Sequence, residues 1–186
     1  MDIVTSARAI AETLLAEALP RRWNHVRAVG ATASHDASRA VPEADHAVLI
    51  AAAWLHDIGY APGVASSGLH ALDGARWLRD QGHDMRIAAL VAYHSCAVFE
   101  AAARGLSEEL AAEFSDEQSA VTDALWYADM TTGPDGQRLS VHERLAEIRA
   151  RYGPDDIVTQ FWAEAEPTLL DAVRRTEERL AAAQPM

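Results

Sequence analysis

Apolar residues recur at helical spacing along most of the chain, and no convincing run alternates between apolar and polar residues as a strand would. This pattern predicts helices over residues 3–19 and 20–40, and a third helix over residues 42–57. The apolar residues of the third helix lie on almost every side, so we expect it to be the central, buried helix. It ends in the pair His56-Asp57.

The remainder of the chain is also predicted to be helical, and no internal repeat or linker divides it. Two capping-box pairs, Ser115 with Gln118 and Ser140 with Glu143, mark helix starts. The tail over residues 155–183 is predicted to be helical with a break at Pro167. Further helices are predicted over residues 70–81, 84–94 and 96–104, with loops over residues 60–68 and 131–137. We therefore expect an all-α helical bundle that forms one domain over residues 1–186, with a core at about 20–135 and helices 140–183 packed on it.

The charge of the chain narrows the classes of ligand. Its formal net charge is -12 and its pI is about 5.0, so its surface repels a polyphosphate backbone and nucleic-acid binding is not expected. A small phosphorylated substrate is compatible with this charge. The chain contains no lysine, which excludes a Schiff-base lysine or a phosphate-loop lysine from its mechanism.

Three further features concern location and assembly. No apolar run reaches the ~18 residues of a membrane span, and the first residues do not resemble a secretory signal, so we expect a cytoplasmic protein without membrane contact. Cys96 is the single cysteine, so no internal disulfide forms. A homodimer through the C-terminal helices is compatible with the sequence.

The pair His56-Asp57 is the first candidate for chemistry, because a buried carboxylate costs several kcal/mol unless it is paired or bound to a cation. The alternative is an aspartate that caps a neighbouring helix beside a core histidine. Four more residues share the placement at the end or on the inner face of an apolar helix: His25, His70, His94 and Asp129. Imidazole and carboxylate are ligands of Zn, Mn, Fe and Ni, and a helical bundle places such ligands at its centre.

These residues stand in motifs that resemble a known superfamily. Arg22-x-x-His25, then His56-Asp57-Ile58-Gly59, then Tyr127-Ala128-Asp129 resemble the H…HD…D signature of the HD superfamily. The segments that begin at His70 and at Ala92-Tyr93-His94 are similar to the third- and fourth-histidine segments of its binuclear members, such as the symmetrical diadenosine-polyphosphate hydrolases.

The resemblance implies a helical core that holds one or two divalent ions of Fe, Mn, Ni, Co or Zn. Its first ion would be held by His25, His56, Asp57 and Asp129. Asp57 would bridge to a second ion held by His70 and His94. Arg22 would contact a substrate phosphate, since guanidinium matches phosphate geometry, and catalysis would depend on His56, Asp57 and Arg22.

Two positions affect the choice of substrate. Tyr60 stands where several binuclear HD families carry a lysine, so it is a candidate substrate contact of a different kind. The chain continues after His94 without the glycine-rich motif of the cyclic-di-GMP phosphodiesterases, which argues against that substrate. Arg76 is another candidate substrate contact and Asp73 a candidate partner for an imidazole, with a surface ion pair as the alternative for both.

The sequence therefore favours a metal-dependent phosphohydrolase that uses metal-activated water on a small phosphorylated substrate, a nucleotide or dinucleotide. A di-iron oxygenase that cleaves a C–C or C–P bond is an alternative, because the same ligands serve both chemistries. A non-catalytic ligand-binding protein of this fold is a third. The loop over residues 60–68 is a candidate rim or lid of the pocket.

Overall fold

A computed structural model describes residues 2–183; Met1 and residues 184–186, which the predicted domain includes, lie outside the described residues. The predicted all-α single domain is confirmed, since the only β-pairing within residues 2–183 is one isolated bridge between Thr132 and Arg138. Its helices are α1 (Ile3–Leu15), α2 (Pro20–His35), α3 (His46–Leu55), α4 (His70–Asp80), α5 (Met85–Ala92), α6 (Ala97–Arg104), α7 (Ser107–Glu113), α8 (Ala120–Met130), α9 (Val141–Tyr152) and α10 (Ile157–Ala182). Short 3-10 turns cover Ala37–Ala40, Glu43–Asp45, Ile58–Tyr60 and His94–Cys96.

Helix α3 is the central helix, as its apolar sequence predicts. It packs against α1, α2, α5 and α8, and Leu49, Leu55 and three consecutive alanines are buried. Small side chains let neighbouring helices approach closely, and burial of Leu-sized side chains stabilises the bundle by about 2 kcal/mol each. The HD pair follows directly after this helix and therefore lies at the centre of the molecule.

A contact between two glycines positions α4 against the HD segment. An ideal Cβ on Gly59 would lie 1.8 Å from the backbone oxygen of His70, and one on Gly74 would lie 3.2 Å from the backbone nitrogen of Gly59. Only glycine permits two backbone segments to approach this closely. The first turn of α4 is thereby fixed beside the residues that follow Asp57.

The predicted helix start at Ser115 is wrong. Helix α8 begins at Ala120, where Ser119 accepts hydrogen bonds from the backbone N–H groups of Val121 and Thr122, and Thr122 completes the capping box. Gln118, the expected partner of Ser115, has a positive φ of 45° and lies outside the helix. The sequence analysis also missed α7, whose Glu109 and Glu113 pair with Arg76 and Arg79 of α4.

The predicted break at Pro167 is also wrong, because α10 continues through it. A proline leaves the carbonyl four residues earlier without its helical partner. Here that residue is Ala163, and both it and Pro167 are exposed, so water can bond the free carbonyl. Leu169, Ala172 and Val173 beyond the proline stay on the same buried face as Phe161 and Trp162 before it. Packing of this face outweighs the lost hydrogen bond.

No helix within residues 2–183 combines the length and the apolar character that crossing a bilayer demands.

The glycine contact predicts that Gly59→Ala destabilises the fold by about 3 kcal/mol, because the new methyl group would overlap the His70 carbonyl. Gly63→Ala is the matched control, since its Cβ would meet no heavy atom within 4 Å; its change should stay within about 0.5 kcal/mol. Urea denaturation measures both. Equal unfolding midpoints for the two variants would contradict the contact.

The ion cluster between α4 and α7 predicts a pH-dependent stability. Hydrogen bonds from Arg76 lower the pKa of Glu113 from 4.5 to about 2, so its contribution is present above pH 4.5 and is lost as the pH falls towards 2. Glu113→Gln should lower the free energy of unfolding by about 1 kcal/mol at pH 7, because the cluster is solvent-screened. The difference from wild type should shrink as denaturation is repeated at lower pH. Glu108→Gln is the control. Glu108 lies on the same helix but in no ion pair within residues 2–183, so this variant should show no such trend with pH.

Candidate metal centre

The structure brings together all six residues that the sequence analysis proposed as ligands. Five of them are buried and His70 is half-buried. They come from five helical segments: His25 within α2, His56 and Asp57 after α3, His70 at the start of α4, His94 after α5 and Asp129 near the end of α8. Within residues 2–183 they form two groups that can each hold a metal ion, one of His25, His56 and Asp57 and one of Asp57, His70 and His94.

Asp57 is common to both groups, and its two oxygens face different histidines. Oδ2 lies 3.3 Å from His56 Nε2 and 3.8 Å from His25 Nε2. Oδ1 lies 3.5 Å from His70 Nε2 and 3.9 Å from His94 Nε2. A carboxylate in this position can bind one cation through each oxygen.

Asp129 completes the first group. Its Oδ1 lies 2.9 Å from His25 Nε2 and 3.8 Å from His56 Nε2. The Ser95 hydroxyl donates a hydrogen bond to the other oxygen, Oδ2. Ser95 and the following Cys96 both have positive φ, of 44° and 61°, which costs of order 1–3 kcal/mol each for residues other than glycine. The strained turn after His94 therefore directs a hydroxyl at a ligand carboxylate.

Backbone carbonyls fix the orientation of three imidazoles. Nδ1 of His25 donates to the Gly133 carbonyl at 3.0 Å, and Nδ1 of His56 donates to Ala53 at 2.8 Å. Nδ1 of His94 donates to Val91 at 2.6 Å. Each bond leaves the Nε2 lone pair directed at the cluster, as in metal sites whose histidines are oriented by outer partners.

Two observations show that this donor set fits cations. His56 Nε2 is buried without a hydrogen-bond partner, since Asp57 Oδ2 at 3.3 Å does not have suitable geometry. His70 Nε2 and His94 Nε2 face each other at 3.1 Å, where two lone pairs would repel unless a proton or a cation lies between them. Imidazole nitrogens and carboxylate oxygens at these positions match the preferences of divalent transition metals.

The pKa values of the cluster favour the metal-binding forms of His70, His94 and the carboxylates, whereas His56 would lose a proton when a metal binds. Burial, and then the charge of His94, lower the pKa of His70, and burial and His56 lower that of His94, so both imidazoles are neutral at pH 7. Burial acts to raise the pKa of Asp57, but Arg22 and His56 hold it well below its usual range. Burial acts to lower the pKa of His56, but Asp57 and Asp129 raise it to about 9. The negative charges of Asp57 and Asp129 thus favour the binding of positive charge at the cluster.

Arg22, Tyr60 and His70 form a stack beside the cluster. The Arg22 guanidinium carbon lies 3.9 Å from the centroid of the Tyr60 ring. The His70 ring is stacked on the Tyr60 ring, with the two centroids 4.1 Å apart and an interplanar angle of 17°. Arg22 Nη1 also donates to Asp57 Oδ2 at 2.7 Å. Tyr60 thus packs on both an arginine and a candidate ligand.

A cavity of about 330 Å³ opens on the cluster. Asp57, His70, His94 and Asp129 lie on one side of it, together with Arg22 and Tyr60. Helices α9 and α10 form the opposite wall, which sequence analysis did not foresee. The residues of that wall include Arg144, Ile148, Arg151, Tyr152, Phe161 and Trp162. Loop residues Ala65 and Gly68 line part of the rim.

Arg76 and Asp73, which follow His70 on the same helix, do not have the roles proposed for them. Arg76 does not line the cavity; it binds Glu109 and Glu113 on the outer side of α4, as the surface-pair alternative expects, so the proposal that it contacts substrate is not supported. Asp73 is buried, but its carboxylate accepts from the backbone N–H groups of Ser66 at 2.7 Å and Ser67 at 2.9 Å. It therefore orders the loop before α4 and does not orient an imidazole.

Comparison with known proteins agrees with this geometry. The family model of the HD domain matches residues 22–129, which is more than half of the 186 residues and includes all six candidate ligands. No curated protein and no solved structure matches the chain. The resemblance to the binuclear hydrolases stays a prediction. The chain belongs to the HD domain family, whose members are generally metal-dependent hydrolases.

Proposed function

We propose that the protein is a metal-dependent phosphohydrolase that acts on a small phosphorylated substrate. The observation that carries this proposal is the pair of ligand groups joined by Asp57 at one end of a cavity that four arginines line: Arg22, Arg104, Arg144 and Arg151. Asp57, Asp73, Glu100 and Asp129 line the same cavity, so bound ions and these arginines together would supply the positive charge that a phosphate needs.

His25, His56, Asp57 and Asp129 would hold one divalent ion, and Asp57, His70 and His94 would hold a second. Such ions make water acidic, with a pKa near 7, and offset the negative charge of a phosphate. The carbonyls of Gly133, Ala53 and Val91 keep the imidazoles directed at these positions. Ser95 keeps Asp129 in place in the same way.

Arg22 is suited to bind the phosphate of the substrate. Asp57 accepts from Nη1 alone, and the Tyr60 ring supports the plane of the guanidinium, so its other donors stay available. Guanidinium binds phosphate oxygens in a bidentate manner, which both orients the phosphate and stabilises negative charge that develops on it.

The size of the cavity favours a small substrate. Its volume of about 330 Å³ is at the lower end of the range of roughly 300–1,000 Å³ found for ligand pockets. This supports a substrate no larger than a mononucleotide and argues against a dinucleoside polyphosphate. Hydrolysis is preferred to oxygenase chemistry because the family is generally one of hydrolases.

The proposal is tested by phosphate release from nucleoside monophosphates and sugar phosphates, and by separation of the nucleotide products of dinucleoside polyphosphates, with protein loaded with Mn, Fe, Co, Ni or Zn. We expect metal-dependent release from the small monoesters. Products that form only while O2 is consumed, with iron bound, would instead establish the oxygenase alternative.

The shared carboxylate predicts that Asp57→Asn abolishes both turnover and metal loading, because the amide removes the negative charge that both ions need. Loss of activity should be at least about a thousandfold, as expected when the metal site itself is lost. Asp171→Asn, at an exposed position of α10, is the matched control and should behave as wild type. Circular dichroism would show whether the variant is folded. Turnover by a metal-free Asp57→Asn protein would contradict the proposed mechanism.

His94 belongs to only one of the two ligand groups. We therefore expect His94→Ala to remove one metal ion per chain and to leave the other. The remaining ion would be held by His25, His56, Asp57 and Asp129, none of which this substitution changes. Elemental analysis of wild-type and variant protein measures the difference. An unchanged metal content would show that His94 is not a ligand.

A further inference from the structure

Arg144 is a buried cation in the wall of the cavity. It lies on α9, outside the residues that the HD domain matches, and only 4% of its surface is exposed. Val141, Leu145 and Ile148 share its buried face of the helix. An arginine on such a face is costly unless its charge and its donors are satisfied.

The donors of Arg144 are only partly satisfied. Nη1 donates to Glu147, one turn away on the same helix, and Glu147 also contacts Arg151 at 3.4 Å. One carboxylate therefore serves two arginines. Nε of Arg144 is buried without a hydrogen-bond partner, and Nη2 has no acceptor among residues 2–183.

The unused side of the guanidinium, which consists of Nε and Nη2, is the side that this protein uses elsewhere to bind carboxylates. Arg21 binds Asp135 through these two atoms, Arg86 binds Glu117, and Arg175 binds Asp123, with N···O distances of 2.6–3.2 Å. Each of these contacts is bidentate and matches the planar group of the acid.

The other arginines of the cavity are engaged or less buried. Arg104 uses Nε and Nη2 on Glu100, and the half-buried Arg22 binds Asp57 through Nη1 and is assigned to the first phosphate. Arg151 is exposed and its Nε lies towards Glu147. Among the cavity arginines within residues 2–183, Arg144 is thus the buried one whose bidentate side has no protein partner.

We propose that Arg144 binds a second anionic group of the substrate, a carboxylate or a phosphate, through its Nη2 atom, since the Nε atom is fully buried. This inference rests on the proposed function, because the first anionic group is the phosphate at the metal ligands and Arg22. The substrate would therefore carry two acidic groups separated by a short spacer. Ile148, Phe161 and Trp162 give the same wall an apolar surface, which suits a spacer of hydrocarbon character.

Non-hydrolysable probes test this inference without turnover. Calorimetry on metal-loaded protein would compare ω-carboxyalkylphosphonates of increasing chain length with alkylphosphonates of the same length. At the chain length that spans the two sites, the carboxylate should strengthen binding about tenfold or more, as expected for a charge-assisted hydrogen bond. Bisphosphonates of the same lengths show whether a phosphonate is preferred to a carboxylate at the second position; a gain with either probe supports the proposal.

Arg144→Gln should remove this gain, while Arg149→Gln should keep it. Arg149 lies on the same helix but pairs with Glu166 outside the cavity, so it controls for the loss of one positive charge. Equal binding of wild type to probes with and without the second acidic group, at every length, would overturn the proposal even if Arg144→Gln failed to fold. A gain that survives Arg144→Gln would also overturn it.

The two proposals fail in different ways. If the phosphonates bind and gain affinity from the second acidic group but no phosphoester is hydrolysed, the proposed function fails and the assignment of Arg144 stands. If simple phosphoesters are hydrolysed but the second acidic group adds no affinity, only the assignment of Arg144 fails.

Discussion

The fold is organised around the buried carboxylate of Asp57. A charged group at the centre of a helical bundle must be neutralised where it lies, because little water reaches a side chain that is 3% exposed. Its two oxygens face opposite pairs of imidazoles, and Arg22 approaches from the cavity side. The apolar α3 places this residue at the centre, and the ends of the surrounding helices converge on it. The same helices therefore form the hydrophobic core and position the candidate ligands.

The candidate ligands stand out in the sequence because each lies within a predicted helix or at one of its ends. His25 and Asp129 are polar residues at positions where periodicity requires burial, and the HD signature groups them with His56 and Asp57. The helical class followed from the same periodicity. What the sequence could not provide was the outer support of these ligands. Ser95 reaches Asp129 because Ser95 and Cys96 both have positive φ. A serine or a cysteine in a sequence does not predict that backbone conformation.

Two helix boundaries were predicted wrongly because a better capping residue nearby, or packing of a buried face, outweighed a local sequence signal. Ser119 caps α8 in preference to Ser115, and the buried face of α10 carries that helix through Pro167. Arg76 was assigned from its spacing after His70, but spacing along a helix does not say which side faces the cavity. Arg144 did leave a signal, since it shares the apolar face of α9 with Leu145, and a charged residue on such a face indicates a function.

The cavity is built from two stretches of the chain, and the HD domain model matches only the first of them. The ligands come from residues 22–129, whereas much of the opposite wall comes from α9 and α10 beyond that range. Residue changes in those two helices can alter the shape and charge of the cavity without touching a single ligand. Two chains that share this signature can therefore share a reaction and still differ in what they accept, so transfer of a substrate from one member to another requires comparison of the C-terminal helices as well as the motif.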